Sequence, residues 1–201
     1  LGRARERLAL VDGLLTEGRH LHLQAGVTSV RARIAMASNE PGQAERILEP
    51  MVRLCESSGL RVLTPLLQAQ LGEALTITGD LARGRKLLNT AVANLSKERN
   101  MPLLAEACAA RARARIGTPE ESFAPVAQWL EDQPALLMKV TRMVARAEHF
   151  KRLDPELAHT HWTQVREALR HIRGTLAPAD REAMRVHTWT VAVERALSQS
   201  V

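Results

Sequence analysis

Apolar residues recur along this chain at helical intervals. In the stretch 60–78, Val62, Leu66, Leu67, Ala69, Leu71, Ala74, Leu75 and Ile77 leave little polar face. A helix that apolar must be covered on more than one side. In the stretch 80–97 the pattern differs. Leu81, Gly84, Leu87, Leu88, Ala91 and Leu95 form one stripe, while Arg83, Arg85, Lys86 and Asn89 fall in other directions. The two segments predict an inner helix followed by an outer one. Asp80 stands where the second needs an N-cap.

Breaks punctuate these helices at a near-constant period. Gly18, Gly59 and Asn100 are 41 residues apart, and Asn39, Gly79 and Gly117 follow each other at 40 and 38. Gly and Asn tolerate the left-handed conformation that closes a helix, so each position predicts a helix end. The breaks cut the chain into helices of about 15 to 20 residues with short turns, which forces antiparallel neighbours. Gly2–Glu17 reads as the second helix of a truncated first repeat. Pro134–Leu153 and Asp154–Arg173 read as a fourth pair, with Asp154 capping ahead of Pro155. Beyond Gly174 the pattern changes, and short helices are expected from Pro178 and over Trp189–Gln199. Terminal repeats of a stack are atypical because they seal it. The expected organisation is therefore a repeat array over 1–174 and a capping segment over 175–201.

Composition agrees with an all-α fold. Aromatic residues make up 2% of the chain and there is no Tyr, whereas β folds lean on aromatic and β-branched residues. Ala, Leu and Arg, all strong helix formers, dominate. The net charge of +6 raises nucleic acid as a partner. Against that, only Lys86, Lys97, Lys139 and Lys151 are lysines, and the arginines are scattered among acids. Cys55 and Cys108 lie within apolar helical patterns and predict neither a disulfide framework nor a metal site. No stretch approaches the roughly 20 apolar residues of a membrane span. No signal-peptide pattern opens the chain. The expectation is a cytoplasmic protein without a membrane partner. Because the chain opens at Leu1, it is expected to be a piece of something longer.

Motifs for chemistry are missing. The chain has no glycine-rich phosphate loop and no nucleophile elbow. His20 with His22, and His159 with His161, are two apart, which on a helix aims them about 200° away from each other. Glu120 and Glu121 suit a helix start, and Glu131 and Asp132 a helix end. Met138, Met143 and Met184 suit a core. No catalytic residue, metal or cofactor is expected, and the chain does not read as an enzyme.

Gln68, Leu71, Gly72 and Leu75, followed by Gly79, Asp80, Gly84, Leu88 and Ala91, resemble the tetratricopeptide repeat. In that family a Leu-Gly pair in the first helix is matched by small residues in the second. Ala32, Ala35, Ala44, Leu48 and Met51 repeat the pattern before it, and Ala109, Ala110, Ser122, Val126 and Trp129 after it. Leu75 stands where the family carries an aromatic, and the family's closing Pro is missing. The period is similar to the longer repeats of bacterial multidomain regulators. The resemblance implies an α-solenoid of about four to five antiparallel hairpins with a C-terminal cap. It also implies that the first helix of each pair lines a groove.

Carried onto this sequence, the groove positions are Ser29, Arg33 and Met36, then Ala69, Glu73 and Thr76, then Ala107, Arg111 and Arg115. Arg33, Arg111 and Arg115 would hold carboxylates of a protein or peptide segment by paired hydrogen bonds. The other reading is that they are solvated or paired with Glu73 and Glu106. The function implied is a protein- or peptide-binding scaffold within a larger signalling protein. A sensor of a small ligand or signalling peptide, relaying to a fused kinase, nucleotide-switch or DNA-binding domain, is an alternative. A nucleic-acid-binding helical protein is a second alternative, resting on charge alone.

Overall fold

The computed structural model describes residues 6, 8, 11, 20–132, 136–178, 180–181 and 188–198. These residues form helices and turns, with no strand among them. No described helix is long and apolar enough to cross a membrane. The chain divides into two compact units, residues 1–116 and 117–201. The expected helix over Gly2–Glu17 and the break at Gly18 lie outside the described residues, except for Glu6, Leu8 and Val11, which are helical.

The first unit contains α1 (Leu21–Ala37), α2 (Pro41–Ser57), α3 (Thr64–Thr78), α4 (Leu81–Glu98) and α5 (Met101–Arg113). Each helix packs against the next, and α3 also touches α1 and α5. The turns follow the break residues. Asn39, Gly59 and Gly79 take φ of +61°, +66° and +112°, just past the ends of α1, α2 and α3. Asn100 does not. The left-handed residue there is Arg99, at φ +54°, and Asn100 caps the next helix by accepting from the Leu103 backbone N–H at 3.4 Å. Asn is a strong N-cap, so its side chain serves α5 and the strained conformation falls to the residue before it. The start of α3 also differs from the expected segment. Pro65 is favoured in the first turn of a helix, and α3 begins at Thr64, which leaves Val62 exposed in the turn.

From Thr64 to Leu75, α3 is buried at every position but Leu66. α4 buries Gly84, Leu88, Ala91, Val92 and Leu95 and is capped by Asp80, which accepts from the Arg83 backbone N–H at 3.2 Å. The two helices meet at glycines. A Cβ at Gly72 would lie 2.8 Å from the Gly84 carbonyl oxygen and 2.8 Å from Leu88 Cγ. A Cβ at Gly84 would lie 2.7 Å from the Gly72 carbonyl oxygen and would also meet the Thr76 hydroxyl. Polar links tie the flanking helices together. Thr78 donates to Glu45 Oε2 at 3.0 Å, and Arg83 of α4 donates to Glu49 Oε1 of α2 at 2.5 Å. That hydrogen bond from Arg83 holds the Glu49 carboxyl below its ordinary value of 4.5.

The second unit contains α6 (Pro119–Phe123), a 3₁₀ turn (Ala124–Val126), α7 (Ala127–Asp132), α8 (Leu136–Phe150), α9 (Pro155–Thr175) and α10 (Thr188–Ser198). The segment 119–132, which follows the break at Gly117, is three short pieces. Pro125 has no N–H and its ring crowds the preceding turn, and the backbone tightens to a 3₁₀ turn around it. Thr118 and Glu121 form a reciprocal capping box, with contacts of 3.2 and 2.8 Å, that starts α6. α8 and α9 are a packed pair, and Asp154 caps α9 through the Leu157 backbone N–H at 2.9 Å. α10 packs on α9, and Val140, Ala147, Trp162, Val165, Leu169, Val193 and Leu197 make one core. Met143 packs against that core and Met138 is half-buried, while Met184 lies outside the described residues.

Gly72→Leu should cost about 1–3 kcal/mol by overpacking, read as a fall in denaturant midpoint without a change in slope. An unchanged midpoint would mean that the α3–α4 approach is looser than described. The Glu49–Arg83 pair sets an acid dependence. A carboxyl whose pKa is depressed on folding contributes stability above its unfolded value, and loses it as pH falls through the folded one. Below about pH 4.5, therefore, Arg83→Ala should lose stability less steeply than wild type in acid-titrated melts.

Candidate functional site

The face shared by α1, α3 and α5 carries three cross-helix polar pairs. Its residues recur at the spacing of the helices themselves. Gln70 Nε2 of α3 donates to Ser29 Oγ of α1 at 2.9 Å, across 41 positions. Arg113 of α5 grips Glu73 of α3, across 40 positions, with Nε donating to Oε1 at 2.6 Å and Nη2 to Oε2 at 2.8 Å. Arg33 of α1 lies 3.7 Å from Glu106 of α5. Both outer members of this row also pack on α3, so the Arg33–Glu106 ion pair spans from one side of α3 to the other.

The nine expected groove residues fall into four groups. Ala69 and Ala107 are fully within helix contacts, and Ser29 is buried with its hydroxyl engaged by Gln70. Thr76 is turned toward α4, where its hydroxyl donates to the Gly72 carbonyl at 2.8 Å and meets Gly84. Met36 is half-buried against the core of the unit. The remaining four carry charge. Arg33 is exposed over 58% of its side chain, Arg115 is exposed in the turn after α5 at φ +55°, Arg111 is half-buried, and Glu73 is buried. A row reading Arg33, Glu73, Arg111 is modified by two partners, because Glu106 meets Arg33 and Arg113 meets Glu73.

Arg113 was not among the expected positions. Its side chain is 41% exposed while that of Glu73 is 8% exposed, so the pair is wet on the cationic side and dry on the anionic side. Burial lowers the Arg113 pKa, but the attraction of Glu73 and Glu106 outweighs it and the net direction is up. Gln70 was also missed. Stepping from Ser29 by the 41-residue break spacing lands on Gln70 and then Arg111, whereas aligning on small residues lands on Ala69. Two buried atoms on this face have no hydrogen-bond partner, Gln70 Oε1 and Arg111 Nε. Burial pushes the Cys108 thiol up to about 12, with Arg111 pulling the other way. Cys108 and the equally buried Cys55 are free thiols. Of the charged groups on this face, Arg33 shares a carboxylate with the protein in an exposed contact, and Gln70 and Arg111 carry buried polar atoms without a partner. Among the described residues no three His, Cys, Asp or Glu side chains converge as metal ligands.

Comparison with known proteins finds no matching family model, no matching curated protein and no matching solved structure.

Arg113→Ala should destabilise the first unit by about 1–3 kcal/mol, because it strands a buried carboxylate that now has two charge-assisted hydrogen bonds. Pairing it with Glu73→Gln should recover part of the loss, and a double-mutant cycle in denaturant reads the coupling. Strictly additive losses would show that the pair contributes nothing.

Proposed function

We propose that this chain is a protein- or peptide-binding scaffold built from tetratricopeptide-like hairpins, and that it serves as the interaction module of a larger regulator. The observation that carries this reading is the row α1, α3, α5, whose cross-helix contacts join residues 40 and 41 positions apart. A repeated hairpin would generate such a step. The recurring left-handed turns at Asn39 and Gly79, 40 residues apart, support the same repeat.

In this reading the face of α1, α3 and α5 is the groove, with α3 as its floor. The ion pair from Arg33 to Glu106 crosses above that floor. An extended segment bearing carboxylates would take Arg33 from Glu106 and add to the cationic edge made by Arg111 and Arg115. Because Arg33 and Arg115 are exposed, each contact is wet and contributes about 1 kcal/mol or less. Affinity then comes from several contacts at once and weakens with salt.

The test is a calorimetric titration with synthetic extended peptides that carry carboxylates at both ends, against uniformly acidic peptides of the same length. The end-charged series should bind tighter. Replacing Arg33, Arg111 and Arg115 together by Ala should weaken it by up to about a hundredfold. Equal affinities for wild type and the triple variant would remove this face from the function.

A further inference from the structure

A cavity of about 160 Å³ opens between α9 and α10 in the second unit, and it shares no residue with the proposed peptide face. Arg166, Arg170 and Arg173 of α9 line it, together with Thr190 and Glu194 of α10. The three arginines are spaced four and three apart, so they project from one side of the helix. Glu194 is the single carboxylate among these lining residues, which leaves two positive charges in excess.

Helix stability alone does not account for this cluster. Like charges four apart on a helix repel. Cations do favour the last turn of a helix, and Arg173 stands there. Yet those end carbonyls already have a cation: Arg181 Nε donates to the Leu176 carbonyl at 2.8 Å and Nη2 to the Gly174 carbonyl at 3.4 Å. Arg166 lies more than two turns before Thr175, beyond the reach of that effect. Its Nε is buried with no hydrogen-bond acceptor.

We propose that this cavity is a binding site for a phosphomonoester. Such a group carries close to two negative charges near neutral pH and three acceptor oxygens, which matches both the excess charge and the donor set. Guanidinium forks bind phosphoryl oxygens in pairs of parallel hydrogen bonds. The cavity has room for a phosphoryl group. A nucleic-acid phosphodiester brings one charge per phosphate, spread along a strand, and leaves half of the excess uncompensated. The site therefore selects a terminal phosphoryl group, on a small molecule or on a phosphorylated side chain.

The test uses the whole 201-residue chain with ¹⁵N-labelled arginine, titrated at pH 7.5 with methyl phosphate and, separately, with dimethyl phosphate. Methyl phosphate should saturate and shift the Arg166 Nε–H resonance, and dimethyl phosphate should bind at least about tenfold more weakly. Arg166→Gln and Arg170→Gln should each weaken methyl phosphate about tenfold, with helical circular dichroism unchanged. Arg170 is exposed, so its variant keeps the test decisive should Arg166→Gln fail to fold. A phosphoserine peptide that binds tighter than methyl phosphate would assign the site to a phosphorylated protein, and equal affinity would assign it to a small phosphomonoester. Equal binding of the mono- and diester, an unchanged affinity in Arg170→Gln, or binding of duplex DNA alone would overturn the proposal.

Discussion

At Gly72 and Gly84 two helix backbones approach so closely that neither position has room for a Cβ. The rest of the first unit is arranged around that approach. Because α4 sits tight on α3, Leu88 and Leu95 reach the core and α3 is buried along most of its length. α1, α2 and α5 pack on its other sides. A helix with that many neighbours needs small or apolar residues all round. Ala69, Ala74, Gly72 and four leucines, Leu66, Leu67, Leu71 and Leu75, meet that need. The polar residues it does carry must find partners within the protein. Glu73 is the extreme case, since an ionised carboxylate loses its hydration there and recovers it through Arg113.

This pairing shapes what the face of α1, α3 and α5 can do. Glu73 and Glu106 each have an arginine from another helix of the row, so the acids of the face are compensated internally. Arg33 and Arg115 are the exposed arginines of these helices and the turn after α5, with Arg111 half-buried. Desolvation makes the Glu73 contact part of the fold, and exposure makes the Arg33 contact exchangeable. The same physics runs differently in the second unit. There Arg142 meets Glu131 at 3.0 Å and Arg146 meets Glu120 at 2.8 Å, both partly open to water. The arginines of α9 face a cavity instead of a set of acids.

Much of the architecture was legible in the residues. Helical periodicity, the scarcity of aromatics and the spaced Gly and Asn residues pointed to successive helices with turns at Asn39, Gly59 and Gly79. Asp80 and Asp154 were readable as caps because an N-cap is a local interaction between a side chain and the backbone three residues on. Asn100 was misread by one residue, since the same residue type serves both ends of a helix and only the packed turn chooses between them. The interruption at Pro125 lay outside the repeat reading, which followed the Gly and Asn breaks alone.

The candidate sites were far less legible. Which helix lies beside which was inferable from the period, but which side chains meet across the gap depends on the angle and register of two packed cylinders. A shift of one residue turns a side chain by about 100°, enough to exchange Arg111 for its neighbours as the partner of Glu73. Glu73 joined Arg113 for that reason, and Ala69, Ala107 and Thr76 turned inward. The arginines of α9 form one face by spacing alone, yet a cavity beside them exists only because α10 packs where it does. Local propensity and hydrophobic period are properties of a segment, so the sequence by itself determined the helices, their caps and the buried stripe. Pairing, burial and charge compensation are properties of two segments in contact, and only the tertiary structure decided them.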